Sequence, residues 1–323
     1  MAVPGHALHL QERIDRNVLA TWVSMTSVVV LLTATAWFLG QIWDFGIPAA
    51  MIGFVIAATS SLAAYFSGDG IVLGLLRARP AEPDRHRELM NVTEEMAIAS
   101  GLPVPRVYVI DSPASNALAT GRDPSNAALA VTTGLLERLT RNELQAVVAH
   151  EMSHVRHRDT LYAVVVAVLV GTIVTMSDIF WHTARSGEIR TSRDHSDSKG
   201  EAVILVIGIL LAVLAPLLAR IIQMAVSRRR EYLADLGGAE LTRNPGALAD
   251  ALEKIAGDPD RFDVAYRGVQ HLFVLNPVDP PSSGVTTFAN LFNTHPPLRE
   301  RVRILRGLAH QPDGRAGDSA LPV

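Results

Sequence analysis

The chain has 323 residues, of which 49% are apolar and only 19% are charged, and its formal net charge is −3 at pH 7. This composition is typical of a membrane protein, and the slightly negative charge gives no support for nucleic acid as a partner. Because the chain has no cysteine, disulfides, cysteine metal ligands and thiol nucleophiles are all excluded.

Two long uncharged runs lie near the start of the chain. The first extends from Asn17 to Trp43 and the second from Phe45 to Gly68, and both exceed the roughly 20 helical residues that cross a bilayer. A signal peptide would be shorter and would not be followed directly by a second span. We therefore expect residues 1–79 to form a transmembrane hairpin with spans at about 18–41 and 46–67.

Two shorter uncharged runs follow, from Thr160 to Ser177 and from Ala202 to Ala219. Their length is near the lower limit for a span, so they are either further transmembrane helices or buried helices of the polar domain. Arginines flank the spans on the side of the polar blocks, which places both termini and those blocks in the cytoplasm. The four basic residues between 181 and 201 conflict with this rule and favour buried helices.

The polar blocks are predicted to form one domain in two parts, 80–159 and 227–309, interrupted by the region 160–226. In the first part, short β-rich pieces at 106–110 and 127–133 flank the segment 115–121. The tail 310–323, rich in Gly, Ala and Pro, is predicted to be disordered. The expected fold class is a mostly α-helical membrane protein with an α+β domain.

The segment "LTRNELQAVVAHEMSH" predicts a helix that carries a metal site. Thr140 and Glu143 form a capping box, which places the helix start at the next residue after Thr140. His150 and His154 are then one turn apart on one face, so both imidazoles can bind one ion. Glu151 lies beside them and can accept a proton from an activated water. This HExxH pattern indicates one zinc ion per chain.

A catalytic zinc takes three protein ligands. Thr160 stands where the metzincin pattern requires histidine, which excludes that class, and His157 lies about two turns from His150, too far to share one ion easily. A glutamate on a later helix is the other solution, and no acid occurs between Asp159 and Asp178. The candidates are Glu188, Glu201, Glu231 and Glu240.

Glu231 is favoured by its context in "REYLAD" at the start of a helical stretch. Asp235 lies one turn later on the same face, where it can orient a metal-binding imidazole. The competing interpretation is a solvated face that pairs with Arg228, Arg229 and Arg230. Since Glu231 follows one apolar run closely and His154 precedes another, we expect the metal near the membrane boundary.

These motifs together resemble one known family. The chain is similar to the HtpX-type bacterial membrane zinc metalloproteases, relatives of the CAAX prenyl endopeptidases, up to about residue 309. The matching stretches are "SNALATG", "AVTTGLLERLTRNELQAVVAHEMSHVRHRDT", "RRREYLAD", "HLFVLNP" and "LFNTHPPLRERV".

The resemblance implies a gluzincin-like zinc protease domain, with zinc held by His150, His154 and Glu231 and with Glu151 as the general base. It implies endopeptidase activity on misfolded or damaged membrane proteins in the bacterial inner membrane. The expected partners are those substrates and the lipid bilayer, with the active site facing the cytoplasm.

The resemblance also places two other segments near the cleft. Asn116, Ala117, Leu118 and Ala119 would belong to a substrate-binding sheet, although Asn116 also suits a simple turn. His295 in "THPP" would lie close to the site, either to stabilise the oxyanion or as a structural anchor.

Three other functions remain compatible with parts of the sequence. An intramembrane protease also uses HExxH, but the charges around this motif do not suit a span. A non-catalytic zinc-binding protein or metal transporter would need the ligands but not Glu151, and would find further polar groups in His182, Asp194, His195 and Asp197. A holdase would bind unfolded membrane proteins without cutting them.

Overall fold

The structure is a computed structural model that describes residues 4–41, 45–166, 210, 228–260, 273–274 and 296–310. Most of the two shorter apolar runs, His295 and the tail from 311 onward lie outside the described residues. The predictions made for them stay predictions.

The chain begins with two long helices, α1 (Pro4–Gln41) and α2 (Gly46–Leu75). They pack antiparallel, since Trp22 stacks on Tyr65 near one end and a side chain at Gly53 would meet Ala36 near the other. The absence of a side chain at Gly53 lets the two helices approach closely there.

Both helices are long and apolar enough to cross a membrane, over Ile14–Ala34 in α1 and over all of α2. Only 28% and 17% of their most apolar windows is buried within the protein. A core helix of a soluble protein would be mostly buried, whereas these helices expose large apolar side chains on most of their surface. The exposed set includes Leu19, Val23, Val30, Ile47, Met51, Phe54, Val55 and Phe66.

A four-stranded mixed sheet follows the hairpin. Its strands are β1 (Arg79–Pro80), β2 (Arg106–Ile110), β3 (Ala117–Thr120) and β4 (Ala128–Thr132), in the order β1-β2-β4-β3. β2 and β4 are parallel, and the two outer pairs are antiparallel. All residues of β3 and β4 are buried, which is why these strands lack an alternating polar pattern.

Further helices of the described residues pack around the sheet, and they include the motif helix. They are α3 (Arg87–Ser100), α4 (Thr133–Arg138), α5 (Arg141–His157), α6 (Arg228–Thr242), α7 (Pro245–Ala256) and α8 (Leu298–Ala309). Val148 and Met152 of α5 share one core with Val92 of α3, Leu252 of α7 and Leu305 of α8. The expected fold class, mostly helical with a small α+β domain, is confirmed.

The motif helix α5 begins where the capping box predicts. The backbone N–H of Thr140 donates to Glu143 Oε2 at 2.7 Å, and the helix starts at Arg141. It ends at His157, and the φ of 55° at Arg158 turns the chain into a new helical segment at 159–166. This reversal brings Asp159 back beside the last turn of α5.

Candidate metal centre

The HExxH residues lie on the half of α5 that faces α6. His150 is completely buried and Glu151 is 3% exposed. The rings of His150 and His154 are edge to face, with centroids 4.9 Å apart. One turn of helix thus presents two imidazoles to a common point, as the spacing predicts.

Glu231, in the first turn of α6, completes the group. Its Oε2 lies 3.9 Å from His150 Nε2, and its Oε1 lies 3.6 Å from His154 Nε2. One candidate ligand atom from each residue lies within 4.8 Å of the others. The structure therefore brings together the three candidate ligands favoured by the sequence, while Glu240, another candidate, lies exposed near the other end of α6.

Two glycines set the distance between α5 and α6. A Cβ built on Gly237 would lie 2.3 Å from Ser153 Oγ, and one built on Gly238 would lie 3.1 Å from the backbone nitrogen of His150. Both separations are shorter than ordinary van der Waals contact, so larger residues would force the helices apart. Close packing at these positions allows the short Glu231 side chain to reach the imidazoles.

Asp235 lies behind His150, as the sequence predicts. Its Oδ1 is 3.0 Å from His150 Nδ1, although the ring is turned from the ideal hydrogen-bond direction. Arg301 of α8 is fully buried and donates two hydrogen bonds of 2.7 Å to Asp235. Burial raises the pKa of Asp235, but the charge and hydrogen bonds of Arg301, together with the nearby His150, outweigh it and hold the pKa below its usual range.

Asp159 lies beside Nδ1 of His154, as Asp235 lies beside Nδ1 of His150. Its Oδ2 lies 3.3 Å from His154 Nδ1. Burial lowers the pKa of His154, but the hydrogen bond to Asp159 and the negative charges of Glu231, Asp159 and Glu151 outweigh it and raise the pKa to about 9. The carboxylates around His154 therefore favour positive charge at this position.

These observations fit zinc. Two donors that each bond an ion at about 2.0–2.2 Å lie no more than about 4.4 Å apart, and the contacts from Glu231 to the two imidazoles are 3.9 and 3.6 Å. Among the described residues, His150 Nε2 is buried without a hydrogen-bond partner, and such an atom needs a ligand to offset its lost hydration. Two imidazoles and a carboxylate form a known catalytic zinc set.

Glu151 lies between the ligands and the edge of the sheet. Its carboxylate accepts a hydrogen bond from the backbone of Ala119 in β3. Burial raises the pKa of Glu151 and the charge of Glu231 adds to this, while His150 and His154 oppose it, so that the pKa lies above its usual range. A raised pKa brings a carboxyl group closer to the range useful for proton transfer near neutral pH.

Asn116 directly precedes β3, and Ala117, Leu118 and Ala119 are the first three residues of that strand. Of these, Ala119 contacts Glu151. Ala117 O accepts from the backbone N–H of Val274 at 3.1 Å, and Asn116 Oδ1 accepts from the Ala117 N–H at 3.0 Å. The side chain of Leu118 is buried in a cluster that includes Val72 of α2, so only its backbone can face the cleft. The substrate-binding role of these residues stays a prediction.

Two residues of the site were not selected from the sequence. Arg301 could have been found, because helical spacing places it on the same face as Leu298 and Leu305, where a charge is out of place in an apolar stripe. Asp159 carries no such signal. Its place beside His154 depends on the backbone reversal at Arg158.

Comparison with known proteins identifies the family of the chain. Peptidase family M48 matches residues 83–309. A protease HtpX homolog of Caldanaerobacter subterraneus is 39% identical over 302 residues, which cover 93% of this chain and 98% of the relative. The protease HtpX of Legionella pneumophila is 40% identical over 296 residues, which cover 90% of this chain and 99% of the relative.

A solved structure extends the likeness to the fold. The crystal structure of S. mikatae Ste24p superposes with a TM-score of 0.50 at 19% sequence identity, covering 89% of this chain and 67% of that chain. At this identity the match shows the fold alone. The family match and the HtpX relatives, however, span most of the chain at higher identity, and the chain therefore belongs to peptidase family M48 as an HtpX-type membrane zinc metalloprotease.

Proposed function

We propose that the protein is an endopeptidase that cleaves misfolded or damaged membrane proteins at the cytoplasmic face of the bacterial inner membrane. The observation that carries the proposal is the buried group of His150, His154 and Glu231 with Glu151 beside it. In this proposal the first three residues hold one zinc ion and Glu151 is the catalytic base.

The chemistry follows from the donors and the carboxylate. When bound, zinc would lower the pKa of water to about 7 and polarise the scissile carbonyl. Glu151 takes a proton from the attacking water as the C–O bond forms. The same carboxyl group then passes that proton to the leaving amine as the C–N bond breaks. Its burial supports both steps, because the raised pKa of Glu151 makes the protonated form accessible.

The position of β3 supports a substrate in extended conformation. Among the described strands β3 is the outermost on its side of the sheet, and the backbone of Ala119 in β3 contacts Glu151. A peptide that pairs with such an edge binds through main-chain hydrogen bonds, which suits unfolded chains of varied sequence. Asn116, Ala117, Leu118 and Ala119 are the proposed substrate-binding residues, and His295 is proposed as an oxyanion donor.

The nearness of the site to the hairpin supports substrates that leave the bilayer. Asn17 lies within the apolar stretch of α1 and contacts Asp159, which in turn contacts His154. Basic residues at 77, 79, 85 and 87 follow α2, and by the positive-inside rule they favour a cytoplasmic position for the domain.

The test uses the full chain purified in detergent and loaded with zinc. Cleavage of an unfolded membrane protein is compared for the parent, Glu151→Gln and Glu240→Gln. Glu240 is exposed on α6 and supplies the same chemical change away from the site. We expect Glu151→Gln to lose at least about 100-fold in kcat with its zinc content unchanged, and Glu240→Gln to cleave normally.

Other outcomes would redirect the proposal. Equal cleavage by Glu151→Gln and the parent would show that Glu151 is not the base. A parent that retains zinc but cleaves neither folded nor unfolded membrane proteins would point to the zinc-binding or transport function instead. Cleavage of folded substrates at the same rate as unfolded ones would overturn the quality-control assignment alone.

A further inference from the structure

A buried asparagine joins the first membrane helix to the metal centre. Asn17 is 8% exposed and lies near the start of the apolar stretch Ile14–Ala34 of α1. Its Nδ2 donates to the backbone oxygen of His157 at 3.0 Å and to Asp159 Oδ1 at 2.6 Å, and its Oδ1 accepts from Arg230 Nη2 at 3.2 Å. The amide therefore uses both its donor and its acceptor.

The three partners of Asn17 adjoin both helices that carry the proposed ligands. His157 is the last residue of α5, and Asp159 contacts His154 Nδ1 through its other oxygen at 3.3 Å. Arg230 directly precedes Glu231 in α6, and its Nε lies 3.6 Å from Asp159 Oδ1. Asn17 of α1 thus contacts both Asp159, which lies behind His154, and Arg230, which directly precedes Glu231.

Packing holds α1 in this position. Met25 and Val28 of α1 form a buried cluster with Leu161 and Val165 from the helical segment that follows Asp159. A buried amide in an apolar environment is costly unless its hydrogen bonds are made. The geometry of Asn17 is therefore fixed both by apolar contacts and by its polar partners.

We propose that Asn17 is a positioning residue of the zinc centre, which holds Asp159 so that His154 stays oriented towards the metal. The first membrane helix is then part of the active site, although it lies outside the segment 83–309 that matches the peptidase family. The inference rests on the proposed ligand set, but it is independent of which substrates are cleaved.

The test measures metal binding rather than cleavage. Zinc affinity of the full chain in detergent is determined by competition with a chromophoric chelator, and the visible absorption of the Co²⁺-loaded protein reports the geometry of its ligands. We expect Asn17→Ala to weaken zinc binding about 10–100-fold, the usual effect of losing a group that orients a ligand. The cobalt spectrum should change with it.

Ser24→Ala is the matched control, because Ser24 is also buried in α1 but lies two turns, or about 10 Å, further along the helix than Asn17. It should leave zinc affinity and the cobalt spectrum unchanged. His154→Ala serves as a reference: if it does not weaken zinc binding, the ligand set is wrong, and the inference about Asn17 is lost with it.

A second pair of variants covers the case in which Asn17→Ala does not fold. Asn17→Asp sets two carboxylates against each other, whereas Asn17→Asp with Asp159→Asn restores a donor–acceptor pair beside Arg230. We expect the double variant to bind zinc more tightly than Asn17→Asp alone. Unchanged zinc affinity and spectrum in folded Asn17→Ala, or no recovery in the double variant, would overturn the inference.

Discussion

Oδ1 of Asp235 lies 3.0 Å from His150 Nδ1 and 2.7 Å from Arg301 Nη2, so that one carboxylate oxygen contacts both a metal-ligand candidate and a buried arginine. Arg301 also approaches Glu231 Oε2 at 3.2 Å through Nη1. The last described helix, α8, thereby contacts two of the groups that shape the metal centre. Its effect on the site is electrostatic, through one guanidinium group.

The first prediction concerns Asp235. Asp235→Asn keeps the shape of the side chain but removes the charge that faces His150, so we expect zinc affinity to fall about 10–100-fold. Chelator competition measures the change. The control is Asp250→Asn, since Asp250 also pairs with an α8 arginine, Arg306, but at the surface. Equal zinc affinities in both variants would contradict the role given to Asp235.

The second prediction concerns Arg301. Arg301→Met leaves the carboxylates of Asp235 and Glu231 buried without their counter-charge, and breaking a buried pair from one side costs about 3–5 kcal/mol of unfolding free energy. Arg306→Met removes partly exposed ion pairs with Asp250 and Glu253 and should cost at most about 1 kcal/mol. Thermal unfolding in detergent compares the two. Similar melting temperatures would show that Arg301 is not a structural counter-ion.

The third prediction concerns the contact between α5 and α6. Gly237→Ala places a Cβ 2.3 Å from Ser153 Oγ, so we expect a loss of about 1–3 kcal/mol from overpacking and weaker zinc binding as Glu231 moves away. In the Gly237→Ala background, Ser153→Ala removes the clashing oxygen and should restore part of the lost stability and part of the lost zinc affinity. Gly307→Ala, where no described atom outside its own helix turn lies within 4 Å of the added Cβ, should instead gain roughly 0.5–1 kcal/mol. The absence of any rescue by Ser153→Ala would show that this contact does not set the helix separation.

The fourth prediction is a dependence of stability on pH. Burial raises the pKa of Glu143, but hydrogen bonds from Lys254 and from the backbone of Thr140 outweigh it and lower the pKa. A lowered pKa in the folded state means that the stabilisation is complete above the unfolded pKa, about 4.3, and is lost as the pH falls through the lower folded value.

Melting temperatures of the parent and Glu143→Gln between pH 7 and pH 3 test this directly. We expect the variant to be less stable at pH 7 and the difference between the two proteins to shrink below about pH 4.3. A constant difference across that interval would mean that the charge of Glu143 does not stabilise the fold.

The parts of the site that could be predicted depend on local sequence. The capping box of Thr140 and Glu143 fixes the start of α5, and helical spacing alone then brings His150 and His154 to one face. Glu231 required a further step, the elimination of nearer acids, and its helical context in "REYLAD" supplied the rest. Apart from that elimination, these inferences use only residues within one or two turns of one another.

The parts that could not be predicted depend on tertiary packing. Asn17 and Asp159 are 142 positions apart in the chain, and nothing in an uncharged run indicates which polar residue will meet the domain. Leu118 was expected at the substrate, but all four residues of β3 are buried, so the sequence has no alternation that assigns its side chain to the cleft or to the core. Only the packing of β3 against α2 places the side chain of Leu118 in the core.

The division of the ligands between two helices has a consequence for the protein's own biosynthesis. His150 and His154 are translated well before Glu231, and Arg301 is translated later still. A chain interrupted before Glu231 therefore lacks one of the three candidate ligands. The three candidate ligands of the proposed centre come together only when α6 has docked on α5. Zinc binding at the proposed centre is thereby coupled to completion of the fold.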